Sequence, residues 1–390
     1  MVILFTAPYY EEKGEPPKGG YNTYLRRVTG ALKELGHRPI ILSCGKRDTF
    51  FTENGVEIFF VKSAHRQLGT GSFELLYNML YNSWKINTKM ASLLSEYKVD
   101  IIQFSSMWGQ AVCYYRKVPA VMRLSIYSKL YSNYKNPRVE NIKALMERMA
   151  ARRCNGVFAP SAVNADAFSK DIHKKVSVIE SPFWNECKIC DESLYNRELA
   201  DKKYFLFYGR LVIDKGILVI ADILHRFFKL YPQYYFVCCG IEKTINGVNP
   251  INLLKKSARE YKERVIFFKN LPHNLLYPII YHADFVIFPS LIDNFPNACV
   301  EAMYFERVVI GTDGTSFEQL IHDGTSGLLS LPDNADSLLN KMNQAALMNS
   351  LQKKEMGKRA KKRIDKLMPE LVVKKLIRYY QQVIDNTVQK

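Results

Sequence analysis

Twice along this chain of 390 residues a series of short apolar runs alternates with longer amphipathic stretches, and a stretch without periodicity, 181–203, separates the two series. Such alternation is the pattern of parallel strands joined by crossover helices. A strand buried on both faces is apolar throughout, and the chain needs a helix's length to return to the same end of the sheet. In the first series the runs predict strands at 2–6, 39–43, 56–61, 100–104, 120–124, 156–159 and 176–179. In the second they predict strands at 204–208, 235–239, 265–268, 285–288 and 308–311. Leu25, Val28, Leu32 and Leu35 recur at helical spacing ahead of a helix-ending Gly36. Leu371, Val372, Leu376, Tyr379, Tyr380 and Ile384 form a last helical stripe that needs a surface to pack on. The expected fold class is α/β: two Rossmann-like, doubly wound domains facing one another across a cleft, the usual ligand position for open sheets of this kind.

Composition narrows the classes of function. An apolar share of 47% excludes a disordered chain. The formal charge of +17, from 55 Lys plus Arg against 38 Asp plus Glu, favours a polyanion or an anionic membrane surface as partner. The surplus is shared by both halves, without a run of five like charges, and no RNA- or DNA-binding motif accompanies it, so nucleic acid is not the expected partner. No stretch approaches the roughly 18 to 20 apolar residues of a membrane span, and the chain enters the apolar run Val2-Ile3-Leu4-Phe5 at once, so neither a span nor a cleaved leader is expected. The eight cysteines fall mostly in runs such as Phe236-Val237-Cys238-Cys239, which fits buried thiols in a reducing cytoplasm, with peripheral attachment to the inner face of the membrane as the extension of that reading. Cys187 and Cys190 make a lone C-x-x-C without a second pair or nearby histidines, so no metal is expected.

Two blocks carry chemistry. After the run 204–208 comes Gly209-Arg210-Leu211-Val212-Ile213-Asp214-Lys215-Gly216 and then a helix. Arg210 and Lys215 beside the N–H groups of a helix start can compensate the charge of a departing diphosphate without a metal, although a solvated basic turn has the same composition. After the run 285–288 comes Pro289 to Met303, with Asp293 in the loop and Glu301 in the first turns of a helix opened by Pro296. Carboxylates accept vicinal hydroxyls well, which suits Glu301 to a ribose and Asp293 to a hexose. A Glu complementing a helix dipole is the alternative for Glu301, but Val300, Ala302 and Met303 around it are core-like. Gly14, Gly19 and Gly20 lie between the first strand and first helix, where glycine lets backbone approach a ligand. Their spacing is not G-x-G-x-x-G, so a dinucleotide cofactor is not expected.

These blocks, in this order, resemble the family 4 (group 1) retaining glycosyltransferases of the GT-B fold, whose pattern is G-R-L-x-x-x-K-G followed by E-G-F-P-N within E-x7-E. The pattern continues here through Thr312-Asp313-Gly314, Glu318 and 322–329. The resemblance implies a hexosyltransferase using a UDP-, GDP- or ADP-sugar with no metal or other cofactor, acting on a glycan or lipid-linked acceptor in polysaccharide or lipopolysaccharide assembly. By it Arg210, Lys215 and Asp293 are catalytic, while Gly209, Asn294, Phe295, Pro296, Asn297, Glu301, Gly19 and Gly20 bind the donor. Residues 271–275 would border the base. The implied domains are 1–185, with a C-terminal helix at about 370–390 returned to it, for the acceptor, and 186–369 for the donor.

Two positions depart from the pattern. Asp293 stands where the family usually has Glu, and no His ends the strand Ala120-Val121-Met122-Arg123-Leu124-Ser125. Arg123 is expected either to meet the donor or an anionic acceptor or to be a salt-bridged strand end. Tyr127 opens a basic and aromatic cluster that runs to Lys135 and continues at Arg148, Arg152 and Arg153, an expected acceptor side able to dock on an anionic leaflet, unless it is a solvated face. Other functions fit less of the chain. A catalytically silent nucleotide-sugar-binding subunit would bind without transfer, a polyanion-binding protein would explain the charge alone, and a nucleotide-sugar epimerase would not carry the Arg-Lys and E-x7-E pairing.

Overall fold

In the computed structural model the described residues are 1–390 apart from 12, 15–18, 64–71, 116, 186, 188, 189, 246, 389 and 390, and the side chain of 388 is likewise outside the description. The chain forms two compact units, Met1–Phe183 with Leu367–Lys390, and Trp184–Lys366. At the border the Phe183 N–H donates to the Leu367 carbonyl at 2.8 Å, pairing the outgoing and returning segments.

The first unit holds strands β1 (Val2–Ala7), β2 (Arg38–Gly45), β3 (Thr49–Glu53), β4 (Val56–Lys62), β5 (Ile101–Ser105), β6 (Ala120–Arg123), β7 (Gly156–Ala159) and β8 (Ser177–Val178), in the order β3-β4-β2-β1-β5-β6-β7-β8. All pairs are parallel except β3 on β4. Alternate residues serve opposite layers, as the two-residue period of a strand requires. Leu4 packs with Met79, Ile86 and Met90 of the helix Ser72–Glu96, while Ile3 and Phe5 pack with Leu25, Val28 and Leu32 of the helix Gly20–Glu34. The last helix, Pro369–Val388, joins that second layer through Val372, Val373, Leu376, Tyr380 and Val383. Its buried stripe is rotated from the expected one, leaving Leu371 46% exposed.

The second unit holds β9 (Lys203–Tyr208), β10 (Tyr234–Gly240), β11 (Val265–Lys269), β12 (Phe285–Ile287), β13 (Val309–Thr312) and β14 (Leu328–Ser330), in the order β11-β10-β9-β12-β13-β14 and parallel throughout. Phe205 of β9 stacks between Phe236 and Phe285 of its neighbours at ring separations of 4.9 and 5.6 Å, so the aromatic content of these strands is core. The connecting stretch is shorter than the sequence suggested. A helix at Ser193–Glu198 and the buried Leu199 already belong to the second unit, and Tyr195 stacks on His282 at 3.9 Å.

Each sheet has one point where the winding reverses. From β1 the chain proceeds through β2 to one edge and then from β5 to the other; from β9 it proceeds through β10 to one edge and then from β12 to the other. The connections leaving the two strands at such a point diverge, and the crevice they leave at the carboxyl ends is where open α/β sheets bind ligands.

Candidate functional site

In the second unit the two motif loops leave the two strands of that reversal. Gly209 follows β9 with φ 133°, and its N–H donates to the Cys239 carbonyl at 2.9 Å. The chain then turns through Ile213–Lys215 and Gly216 into the helix Ile217–Leu230. Gly216 has φ 77°, and a Cβ there would lie 1.9 Å from the Pro289 carbonyl oxygen. Only glycine lets the first loop close on the second. The Leu291 N–H donates to the Asp214 carbonyl at 3.1 Å, a second tie between the loops.

This closure sets the side chains. The Lys215 ammonium donates to the Asp293 carboxylate, both side chains being about four-fifths buried at 20% and 17% exposure. Arg210 is held loosely, its guanidinium 3.8 Å from the buried Asp214 carboxylate and its side chain 58% exposed. One cation is thus fixed and the other projects from the loop. The helix Asn297–Tyr304 begins after Pro296 with no side chain capping its first N–H groups, which leaves amide donors pointing out of the helix start. Phe295 is buried beneath this turn, and Asn294 and Asn297 are half-buried on it.

Glu301 sits on the same short helix at 9% exposure, so a solvated Glu is excluded. Its carboxylate lies 3.8 Å from Nε2 of His273, the first residue of the helix His273–His282, whose ring stacks on Tyr277 at 4.9 Å. Burial, with Glu301 adding to it, pushes the Tyr208 hydroxyl well above its usual range, and that hydroxyl donates to the Ala298 carbonyl. The segment expected to border a base is therefore joined to the carboxylate expected to hold a ribose. His273 itself was not singled out in the sequence; a ring at the start of a helix after Pro272 was its only signal. Beyond β13, Glu318 accepts from the Gly314 N–H at 2.7 Å, and its carboxyl is raised chiefly by sharing a hydrogen bond with Asp313.

The first unit corrects three expectations. Arg123 makes no salt bridge among the described residues: its side chain is buried, donates to Ser125 Oγ and Ser181 Oγ at 2.9 Å each, and stacks 3.8 Å over the Tyr24 ring. Burial lowers its pKa, and its Nε has no partner among the described residues. Two hydroxyls and an aromatic face replace the carboxylate. Tyr127 is a core residue, 1% exposed, edge-on to Phe168 and bonded through its hydroxyl to Asp171, so it presents nothing to an acceptor. The cluster after it is only partly a free basic face, with Lys129, Arg152 and Arg153 exposed. Ser128 and Tyr131 are buried, while Lys129 and Arg148 converge on Asp171 at 2.7 and 3.8 Å. Gly19 has φ 88° and precedes the helix Gly20–Glu34, whose first residue is Gly20; a Cβ on Gly19 would meet the Tyr9 hydroxyl at 2.9 Å.

Known proteins share this architecture. The model of glycosyl transferases group 1 matches residues 195–363, and that of glycosyltransferase family 4 matches residues 18–182. A curated relative, the uncharacterized glycosyltransferase YqgM of Bacillus subtilis (strain 168), is 22% identical over 251 residues. The match covers 63% of this chain and 66% of the relative, just under two thirds of its length. Among solved structures, sucrose-phosphate synthase of Thermosynechococcus elongatus superposes with a TM-score of 0.80 at 15% identity, covering 99% of each chain. HepE of Anabaena, in complex with UDP and glucose, superposes with a TM-score of 0.71 at 16% identity, covering 98% of this chain and 100% of the other. Identities this low carry the fold alone, two parallel-sheet α/β units of the GT-B class.

Proposed function

Because the chain belongs to the group 1 glycosyltransferases of family 4, we propose that it transfers a hexose-type sugar, with retention, from a nucleoside diphosphate sugar to a glycan or lipid-linked acceptor in the assembly of cell-surface polysaccharide. The observation that carries this reading is the meeting of the two motif loops at the carboxyl ends of β9 and β12, with Lys215 paired to Asp293 and Arg210 projecting beside them. Arg210 and Lys215 take the diphosphate, Glu301 takes the ribose, and Asp293 with the amides of Asn294 to Asn297 takes the sugar. Departure of the diphosphate develops negative charge next to a guanidinium and an ammonium. That compensation does the work otherwise given to a metal, so no cofactor is required. The acceptor hydroxyl attacks the face the diphosphate leaves, and the configuration is kept.

A thermal-shift panel of UDP, GDP and ADP tests the donor half. A ligand present at about 100 times its dissociation constant adds roughly 2.7 kcal/mol of stability. One nucleotide is expected to respond, and Arg210→Ala is expected to abolish the response. A panel without a responder overturns the reading.

Attachment to an anionic membrane is supported at a different place from the one the sequence suggested. Along the helix Ser72–Glu96, Phe73, Tyr77, Leu80 and Trp84 repeat at one-turn and two-turn spacing and are 84%, 38%, 37% and 53% exposed. Tyr81 bridges Tyr77 and Trp84 at ring separations of 6.0 and 5.8 Å. Lys85 and Lys89 flank the stripe, and Lys85, Lys89 and Trp84 face a groove with Phe50, which is 51% exposed. Amphipathic rings with flanking lysines on an exposed helix suit the boundary of an anionic leaflet, where the apolar body is buried and the charge stays among headgroups. Among the described residues no helix is long and apolar enough to cross a membrane.

A further inference from the structure

The winding reversal of the first sheet lies between β1 and β5, and the loops leaving those strands enclose a cavity of about 620 Å³ together with the ends of β2 and β4. That volume is in the usual range for a small-molecule site, and it would hold one or two sugar rings. Its wall is made from Tyr9 and Tyr10 after β1 and Trp108 after β5, and its cations are Lys13, Lys46 and Arg47. Gly19 packs behind the Tyr9 ring of that wall, the Tyr9 hydroxyl occupying the space a Cβ would need.

Two features mark this cavity as more than a surface dent. Trp108 adopts φ 63°, ψ 16°, a left-handed conformation that a bulky residue takes only when its surroundings hold it there, and such residues concentrate at ligand sites. Its indole packs on the core and reaches the cavity from there. Among the described lining residues the charges are also unbalanced, three cations against Glu11. Lys13, Lys46 and Arg47 make no ion pair with any described residue, whereas the acids nearby are engaged, Glu53 lying 3.5 Å from the Arg26 guanidinium. Asp48 accepts from the Lys62 N–H at 2.7 Å, and Glu11 accepts from the Asn22 amide at 2.8 Å. Aromatic faces offer the stacking surface a sugar ring uses, and unpaired lysine and arginine offer the countercharge for phosphate or carboxylate.

We propose that this cavity is the acceptor site and that it selects a saccharide carrying an anionic group, read by Lys46 and Arg47 while Tyr9, Tyr10 and Trp108 stack on the ring. The proposal rests on the transferase reading for the word acceptor, but the site and its ligand class stand on this unit alone. Isothermal titration of the full chain with glucose 6-phosphate, glucuronate and glucose tests it. The two anionic sugars are expected to bind at least about tenfold tighter than glucose, and Lys46→Ala with Arg47→Ala to remove that preference, since a charge-assisted hydrogen bond contributes a factor of about ten or more. Whether phosphate or carboxylate binds tighter distinguishes the two sources of the charge. An unchanged unfolding temperature for the double variant shows that these exposed side chains were not holding the fold. Glucose binding as tightly as its anionic partners, or a preference that survives the double substitution, overturns the proposal. Anionic sugars bound here by a chain that binds none of UDP, GDP and ADP would support the site while removing the transferase reading, so the two fail separately.

Discussion

The ammonium of Lys215 is bonded to the carboxylate of Asp293, 78 residues further along the chain, and the pair joins the loop that follows β9 to the loop that follows β12. A carboxylate that holds a lysine in place also competes with any anion for it. On the proposed reading Asp293 and the diphosphate compete for Lys215, while Arg210, with its looser contact to Asp214 at 3.8 Å, is available from the start.

That sharing separates the two residues experimentally. Lys215→Ala is expected to weaken UDP binding and to reduce turnover by about 10² to 10³, the usual cost of removing one preorganised donor to a developing charge. Asp293→Asn should leave UDP binding unchanged or tighter, because the competing charge is gone, yet still lower transfer from the intact nucleotide sugar. Calorimetry with UDP alongside product assays distinguishes these outcomes. A parallel fall of both quantities in Asp293→Asn would mean that the carboxylate only positions Lys215.

The contact of Gly216 with the Pro289 carbonyl gives a second prediction. Gly216→Ala puts a Cβ 1.9 Å from that oxygen at φ 77°, so the loops must separate or the backbone must strain. A destabilisation of about 1–3 kcal/mol is expected, with loss of the nucleotide-induced thermal shift. Gly247→Ala serves as the control, because its φ of 79° imposes comparable backbone strain while a Cβ there meets nothing within 4 Å. Equal effects from the two substitutions would assign the cost to φ alone and not to the closure of the loops.

Glu147 predicts a pH dependence of stability. It is buried, and accepts from the Ser128 N–H at 3.0 Å and the Ser128 hydroxyl at 2.6 Å, but burial outweighs these bonds and pushes its carboxyl up to about 8 from an ordinary 4.5. Between those values the folded chain holds a proton that the unfolded chain has released. Stability from this group is therefore full below the lower value, declines as pH rises through the interval and is flat above the upper one. Glu147→Gln removes the titration, so the variant's unfolding temperature should gain on the wild type between pH 5 and pH 8.5. A constant difference across that range would contradict the assignment.

How much of this was legible in the sequence depended on whether the informative residues were contiguous. Strands buried on both faces announce themselves as apolar runs, and eleven of the twelve expected runs needed only a residue or so of adjustment at an end, while the last of the first series shrank from 176–179 to Ser177–Val178. β3 was missed because Thr49–Glu53 is an edge strand with no fully buried residue, and the helix Ser193–Glu198 because six residues are too few to show a period. The residues of the candidate donor site lie in two short segments after strands, so their order alone pointed to them. Tyr9, Arg47 and Trp108 come from three loops that only the sheet brings together, and nothing local links them. At Tyr127 composition suggested a surface, but the ring is buried with its hydroxyl on Asp171, 44 residues away, while Lys129 reaches the same carboxylate and stays 54% exposed. Arg123 reads as a charge in need of an acid; only the packing reveals that Tyr24, Ser125 and Ser181 serve instead.

The exposed stripe on the helix Ser72–Glu96 yields the last prediction, and its logic runs through the opposite face of the same helix. Met79, Ile86, Met90 and Leu93 are at most 1% exposed, so the inward face is complete and the outward rings contribute little to folding. Trp84, with 53% of its surface in water, should therefore be replaceable without loss of stability. Phe73→Ser combined with Trp84→Ala is expected to leave the unfolding temperature within a degree or two, and to release the protein from vesicles containing phosphatidylglycerol in a flotation assay. Lys85→Glu with Lys89→Glu should weaken flotation in proportion to the anionic lipid fraction, because each lysine near a charged surface contributes about 1 kcal/mol. Arg152→Glu, on the helix Pro137–Arg152, should not, since that region's nearby basic residues Lys129 and Arg148 are paired with Asp171. Flotation that depends on Arg152 and ignores the aromatic stripe would return the membrane face to the region that composition first suggested.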